Sequence, residues 1–574
     1  MPVSCLSRMI LQSVLLASLA LAQPRCKCTF GKTCWPGEKA FNKLASQVSQ
    51  PLVHPVPPES ACYPANNPAD NCTDVTAHSR EGNWRAEFPG SMQTPYWETY
   101  TFPNGTISAC YLDTTLGFSC QQGSVPVIGV DARSEKDVQT AVKFAAKNNL
   151  RLVVKNTGHD YLGRSTARGA FLIWTHHLKN ITFRDTFRPV GAPQAKVYEA
   201  VMTLGSGVQW HEAYDAANSR GRLLVGGLSA GASVGAAGGW ILGGGHSALS
   251  PHYGLGVDNV LEFSVVTADG RLVTANAYSH SDLFWALRGG GGGTFGVVTS
   301  VTYRTYPSVP VIGIFGAVPL TSEAIAKALV TEFIRLQPIW VNTGYGGYSN
   351  INSSALQFFF VAPNASQADV DATVQPFFDL AANLTSGGPP MQNGTVPFDS
   401  FFSWYRLLFS GGEQVGTNIF IGSRLLPLPL IQSSPEKVAE TILSIEGGVL
   451  WHAVAGGAVS RVPPDSTGLN PAWRNAVTHV GAFQGWPEGA SASVIAAHGN
   501  KLQGEVSKLE KLAPGSGAYF NEALPFEPRP QTTFFGSHYK RLKAIKKTYD
   551  PASLFLVANG VGSEDWDSSL NCRH

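Results

Sequence analysis

The spacing of apolar positions changes twice within residues 125–155, and that change organises the first half of the chain. VPVIGVD is a short apolar run that reads as a strand. The following segment opens a helix near Ser134 with an acidic first turn, and Leu152 to Lys155 read as a second strand. The segments GAFLIWT and KVYEAVMTLGSG predict further β structure, followed by a helix over about residues 208–219. In Trp174-Thr175-His176-His177 the adjacent histidines, read on a strand, face opposite sides, which argues against joint metal ligation. SDLFWALR reads as a helix leading into a glycine run and then a strand from Val297. Farther on, IWVNTGYGGYSNINSSALQFFFVAP alternates and predicts an antiparallel sheet with helices on one face.

Between these elements lie two stretches that are poor material for an ordinary core. Residues 226–273 begin GGLSAGASVGAAGGWILGGGHS, and small residues crowd so densely there that something other than side-chain packing is expected to fill the space. The second run, RGGGGGTFGVV, matches G-x-G-x-x-G at Gly291, Gly293 and Gly296. It follows a helix and opens a strand, the reverse of the dinucleotide-binding arrangement, so that reading fails. A third feature is VVKNTGHDYLGRST, where His159 stands directly behind Gly158 at the carboxyl end of the second strand. A polar loop there can be ordinary surface. Its company with two glycine runs points instead to a bound group that the backbone approaches closely.

At 574 residues the chain is long enough for two or three domains. A net charge of +2 with 14% charged residues supplies no basic block to follow a phosphate backbone, so nucleic acid is not an expected partner. Residues 1–22 place Arg8 before an apolar run ending Ala20-Leu21-Ala22, the layout of a secretory signal with the mature chain starting near Gln23. No later stretch reaches the roughly 20 apolar residues that a membrane span needs. Removing Cys5 with the signal leaves Cys26, Cys28, Cys34, Cys62, Cys72, Cys110, Cys120 and Cys572, an even set that reads as disulfides tying down an N-terminal extension, with the connectivity open. Metal is the alternative for Cys26-Lys27-Cys28, but no histidine lies nearby at zinc-like spacing, and no metal is expected. Glycosylation sequons at Asn71, Asn104, Asn180, Asn352, Asn364, Asn383 and Asn393 fit the secretory route.

The order strand, N-T-G-H-D, the tract ending GGWILGGGHS, YGLGVDNV and LFWALRGGGGGTFGVVT resembles the flavin domain of the vanillyl-alcohol oxidase and para-cresol methylhydroxylase superfamily, in its berberine-bridge-enzyme-like branch. AYFNEA, FFGSHYKRLKAIKKTYDP and NGVGSEDW resemble that group's closing segment, and CKCTFGKTCWP is similar to the N-terminus of secreted fungal oxidases of the isoamyl-alcohol-oxidase-like kind and of fungal secondary metabolism. The resemblance implies an α+β protein. Its parts would be a signal (1–22), a disulfide-tied extension (23–122), an FAD-binding domain (123–308), an antiparallel-sheet substrate domain (309–509) and a C-terminal segment (510–574) that completes the flavin site.

The same resemblance implies that the FAD is bonded covalently through His159. Asn156, Thr157, Gly158, Asp160, Ser165, Val234, Gly235, Gly238, Gly239, Trp240, His246, Gly296, Val297, Tyr519 and Asn521 would complete the cofactor shell. Many plant relatives add a second bond through a cysteine, where this chain has Ala232 beside Ser233, so a single link is implied. Tyr161 and Glu522 are the implied catalytic residues. His479 and Glu488 fall near the family's usual base position but read as surface residues. The implied activity is oxidation of a small alcohol or secondary metabolite, with dioxygen reoxidising the flavin to give hydrogen peroxide, in the secretory-pathway lumen, the vacuole or outside the cell. Carbohydrate oxidation, an oxygen-excluding dehydrogenase and a non-catalytic flavin-binding protein are the alternatives.

Overall fold

The computed structural model describes residues 26–63, 71–409 and 415–574; the expected signal segment lies outside them. The chain builds three main sheets, and each marks a stage in the assembly of one central cavity.

The smallest has the order Leu52–Val53, Ile128–Asp131, Phe171–Trp174, Leu152–Lys155, and its last three strands run parallel. Helix Glu135–Lys147 crosses between two of them. Its start is fixed by Ser134, whose hydroxyl accepts the Asp137 backbone N–H, and its Val138, Ala141, Val142 and Ala145 are buried against the strands. Such a cap is worth about 1 kcal/mol. Because parallel strands all end on the same edge, the loop after Lys155 emerges at the sheet's carboxyl edge, where ligands of parallel sheets bind.

A second sheet has the antiparallel order Leu272–Asn276, Val260–Val266, Val297–Arg304, Tyr198–Gly205, Ile181–Phe187. Between its strands, helix Ser281–Leu287 precedes the glycine run, in the order read from the sequence. The third sheet is antiparallel with seven strands: Gln392–Phe398, Val311–Pro319, Ala355–Pro363, Gly346–Ile351, Val449–Ala453, Ala476–Trp486 and Asn418–Pro427. Helices Glu323–Thr343, Gln367–Leu384, Pro435–Leu443 and Ala492–Leu512 cover one face. Phe333 packs there 5.3 Å from Phe358 and 6.2 Å from Phe360, ring to ring, within one apolar cluster. The opposite face is left for the cavity.

Two sequence expectations give way. Ile339 to Thr343, read as the start of an alternating strand, belongs to helix Glu323–Thr343, and the strand starts at Gly346. His176 and His177 lie beyond the strand, which ends at Trp174, so the alternation of strand faces no longer applies. Both rings turn toward Glu87, with His176 Nε2 2.9 Å from Oε1 and His177 Nε2 3.8 Å from Oε2.

The eight cysteines form four disulfides: Cys26–Cys572, Cys28–Cys34, Cys62–Cys72 and Cys110–Cys120. Three are local loops in the extension. The first joins the two ends of the described chain. No helix among the described residues is long and apolar enough to cross a membrane.

Lys155, the last residue of its strand, is buried beneath the His159 loop and donates to Phe88 O at 2.9 Å. Burial lowers its ammonium from 10.5 to about 7; Glu98 and Glu87 act to raise it and Arg85 to lower it. Between those two values the unfolded chain keeps the proton that the folded chain has released, so this group adds stability as pH rises through the window. Relative to Lys155→Met, the wild-type protein should gain roughly 1–2 kcal/mol between pH 7 and pH 9 in chemical denaturation. A difference independent of pH would show that Lys155 keeps its charge in the folded state.

Candidate active site

The first and third sheets, with the glycine tracts that connect strands of the second, enclose a cavity of about 1040 Å³, larger than the usual pocket for one small ligand. Its first wall is the loop Asn156 to Ser165. Gly158 adopts φ +85°, and a Cβ there would stand 2.9 Å from Ser91 O, so the turn that presents His159 needs glycine. Inside the loop, Asp160 accepts from the backbone N–H groups of Leu162 (3.1 Å), Arg164 and Ser165 (2.8 Å). The Arg164 side chain then spans to the C-terminal segment, donating to Asp160 Oδ1 at 2.8 Å and to Asn521 Oδ1 at 3.1 Å.

His159 faces the cavity, and its Nε2 is 2.7 Å from Ser233 Oγ. Burial lowers the ring to about 3, so it is neutral at physiological pH and carries a nitrogen lone pair. Tyr161 lines the same wall. Burial, reinforced by the charge of Glu522, raises its phenol to about 12.

The second wall comes from the glycine tracts, and the glycines divide by purpose. Gly245 and Gly256 clear the Trp240 ring, which a Cβ would meet at 2.5 and 2.4 Å, and Gly243 clears Asn521. The tract's own Trp240 and Asn521 of the C-terminal segment therefore fill part of the space that the sequence assigned to a bound group. Gly235, Gly238, Gly239, Gly292 and Gly293 line the cavity itself. Gly239 has no atom within 4 Å of the Cβ position, leaving bare backbone for a ligand to approach. Asn156 Oδ1 and Ser229 Oγ, both on lining residues, are buried without a protein partner. A large polar group with an extended backbone-facing surface fits this lining, as FAD would.

Most expected cofactor residues gather here: Asn156, Thr157, Gly158, His159, Ser165, Val234, Gly235, Gly238, Gly239, Trp240, His246, Tyr519 and Asn521 all line the cavity. Three do not. Asp160 is turned inward as the organiser of the loop. Gly296 and Val297 stand behind the wall that Gly292 and Gly293 form, with Gly296 packed against Val265 and Val266 at the start of its strand.

The third wall is the open face of the seven-stranded sheet. Register aligns one residue from each of five neighbouring strands: Phe315 opposite Phe359, Phe359 opposite Tyr348, Tyr348 opposite His452, and His452 opposite His479. Side chains so paired point to one face and touch. The row is aromatic at one end and imidazole at the other. Glu522, reached from the C-terminal segment, lies against the imidazole end. Its Oε1 is 3.1 Å from His246 Nε2, and its Oε2 is 3.6 Å from His479 Nδ1 and 3.9 Å from His452 Nδ1. Burial acts to raise the Glu522 carboxyl, but His246, His479 and His452 outweigh it and hold it at about 2. Burial drives His452 and His479 the other way, toward neutral rings, and the largest of the three effects that lower Glu522 comes from His246.

His479, read from sequence as a surface residue, is fully buried here. Glu488 instead accepts from the backbone N–H groups of Leu112 and Asp113 at 3.1 and 3.0 Å, away from the cavity. His452, Tyr348 and Arg164 went unrecognised. A period-two reading of Trp451-His452-Ala453, with Trp451 under the helices, could have turned His452 toward the cavity.

Two family matches cover segments that line the cavity. An FAD binding domain family matches residues 126–276, and the family described as berberine and berberine like matches residues 518–562. An FAD-linked oxidoreductase of Arthroderma benhamiae is 38% identical, with 96% of each chain covered. The chain is a berberine-bridge-like, VAO-type FAD-linked oxidoreductase. A VAO-type flavoprotein oxidase of Thermothelomyces thermophilus, VAO615, is 34% identical over 96% of this chain and 95% of its own. The crystal structure of MtVAO615 from Myceliophthora thermophila C1 superposes with a TM-score of 0.85 at 30% identity, covering 96% of this chain and all of its own. The glucooligosaccharide oxidase of Acremonium strictum, described as carrying a 6-S-cysteinyl, 8α-N1-histidyl FAD, shares the fold alone, with TM-score 0.62, 20% identity and coverage of 76% of this chain and 92% of its own. This VAO-type oxidoreductase therefore has the α+β architecture expected from sequence, an FAD-binding part joined to an antiparallel substrate sheet.

Proposed function

We propose that this oxidoreductase is an oxidase of apolar, hydroxyl-bearing small molecules, a small alcohol or a secondary metabolite, with FAD bonded through His159 alone and dioxygen as the final acceptor. The observation that carries the reading is the cavity itself: a glycine-lined cradle on one side and, on the other, a row running from Phe315 and Phe359 to His452. Held by the glycine cradle and His159, FAD would supply the acceptor for a hydride from the substrate carbon and the two-electron route to dioxygen that gives hydrogen peroxide.

The chain supplies the rest. Ser233 engages Nε2 of His159, so Nδ1 is the ring nitrogen free for a bond, and the neutral ring keeps its lone pair for it. An 8α-N1-histidyl link of the kind described for the glucooligosaccharide oxidase uses that nitrogen. No cysteine among the described residues lines the cavity, and Ala232 and Ser233 supply no thiol, which supports a single link. Phe315, Tyr348 and Phe359 exclude water and bind an apolar or aromatic body. Tyr161 and Glu522 reach the cavity from opposite walls. Tyr161, protonated throughout the physiological range, orients the substrate hydroxyl as a donor, while the ionised Glu522 receives its proton.

We assign residues 123–308 and 510–574 to the flavin part and residues 309–509 to the substrate part. The first 22 residues are assigned to a signal for secretion, a route that four disulfides support. The test is a panel of aliphatic, benzylic and polycyclic alcohols and oligosaccharides on protein secreted by a eukaryotic host, reading peroxide and flavin absorbance together. Bleaching and peroxide with the apolar alcohols are expected, from protein whose N-terminus lies near Gln23. Turnover confined to oligosaccharides, or bleaching without peroxide in air, would overturn the reading.

A further inference from the structure

Four segments far apart in sequence bring His246, His452, His479 and Glu522 together, with one ligand atom from each within 4.8 Å of all the others. Three of those atoms form a compact triangle: His452 Nδ1 and His479 Nδ1 are 3.1 Å apart, and Glu522 Oε2 is 3.6 and 3.9 Å from His479 and His452. A tetrahedral ion with bonds of about 2.0–2.1 Å holds its ligands roughly 3.3–3.4 Å apart, so these edges enclose the right space. The spacing is built into the backbone, because His452 and His479 are direct cross-strand partners.

The polar atoms point the same way: His452 Nδ1 and His479 Nδ1 face each other, and Glu522 Oε2 is buried without a hydrogen-bond partner among the described residues. A cation at the centre takes a lone pair from all three.

We propose that His452 Nδ1, His479 Nδ1 and Glu522 Oε2 bind a divalent first-row transition ion of the zinc class, with His246 holding the carboxylate in place through Oε1. Two nitrogens and one oxygen are the borderline ligands such ions prefer, and three protein ligands leave a fourth position open. His452 and Glu522 line the cavity, so that position faces the substrate and takes an oxygen donor, the hydroxyl of an alcohol. This deepens the proposed function and rests on it for the substrate. In the loaded site Glu522 holds the ion through Oε2, the ion polarises the hydroxyl, and the hydroxyl proton leaves through the Glu522 Oε1–His246 pair, which also lines the cavity.

The test uses full-length secreted protein purified without chelator or affinity metal, measuring metal by mass spectrometry and covalent flavin by absorbance after denaturation. About one zinc-class ion per flavin is expected. After stripping with dipicolinate, zinc should rebind with a stoichiometry near one in calorimetry, and cobalt(II) should give tetrahedral d–d bands between those of the flavin and the near infrared. His479→Gln and Glu522→Gln should abolish stoichiometric uptake with flavin content unchanged, and His246→Ala should weaken uptake about 10–100-fold per flavin bound. Wild-type protein that has its full flavin but neither carries nor takes up zinc or cobalt would overturn the site and establish a proton-sharing network in its place. Absence of covalent flavin would instead count against the proposed function, so the two failures are distinguishable.

Discussion

Acid denaturation should leave the wild-type protein yellow and release the flavin of His159→Ala completely into the supernatant. The expectation rests on the one imidazole that the Gly158 turn presents to the cavity with Nε2 already engaged by Ser233. The alanine variant is expected to fold, because His159 contributes no core packing and the loop is held by Asp160 and Arg164. Digestion of the wild type should give a single flavin-bearing peptide containing His159. Ser233→Ala offers a second check: freeing Nε2 should lower the fraction of flavin that becomes attached, without altering the site of attachment. Recovery of all flavin in the wild-type supernatant would refute the covalent assignment outright. A flavin-bearing peptide without His159 would move the link elsewhere.

What the sequence made legible was local chemistry. N-T-G-H-D and Y-x-N-E are contiguous, and each keeps its meaning whatever surrounds it: the left-handed turn before His159 needs Gly158. The imidazole end of the third wall was not legible, because it exists only through register. His452 and His479 meet as cross-strand partners, and nothing in either local segment announces the other. His479 aligns poorly with the family's base position and reads as a surface residue, whereas its strand, Ala476–Trp486, is buried along most of its length and offers no inside-outside alternation to place it.

Helix Glu323–Thr343 failed for a different reason. Pro338 and the β-branched Ile339, Val341 and Thr343 argue locally for a strand, whereas burial of Trp340 and Val341 in the cluster under the sheet decides for the helix. The glycine tract was half understood. Its bareness signals close approach, but only the fold distinguishes approach by a ligand from approach by Trp240.

The second large effect separates chemistry from flavin retention. Glu522→Gln keeps the shape of the side chain and removes the charge that His246 stabilises; Tyr161→Phe removes one hydroxyl from the facing wall. Neither change touches His159 or the glycine cradle, so flavin content and spectrum should stay close to those of the parent. Anaerobic reduction by an alcohol substrate, followed by stopped flow, should slow by about 10²–10⁴-fold in Glu522→Gln, equivalent to roughly 3–5 kcal/mol of barrier. Tyr161→Phe should cost less, because a phenol raised to about 12 remains a donor through the working range and contributes orientation rather than proton removal. Its loss should appear in the substrate dependence of reduction as well as in the limiting rate. Stopped flow without oxygen isolates this step from reoxidation, which these groups need not influence. Reduction at the parental rate in both variants would remove the pair from the mechanism and leave His246 and His452, which also line the cavity, as imidazoles that could serve the substrate.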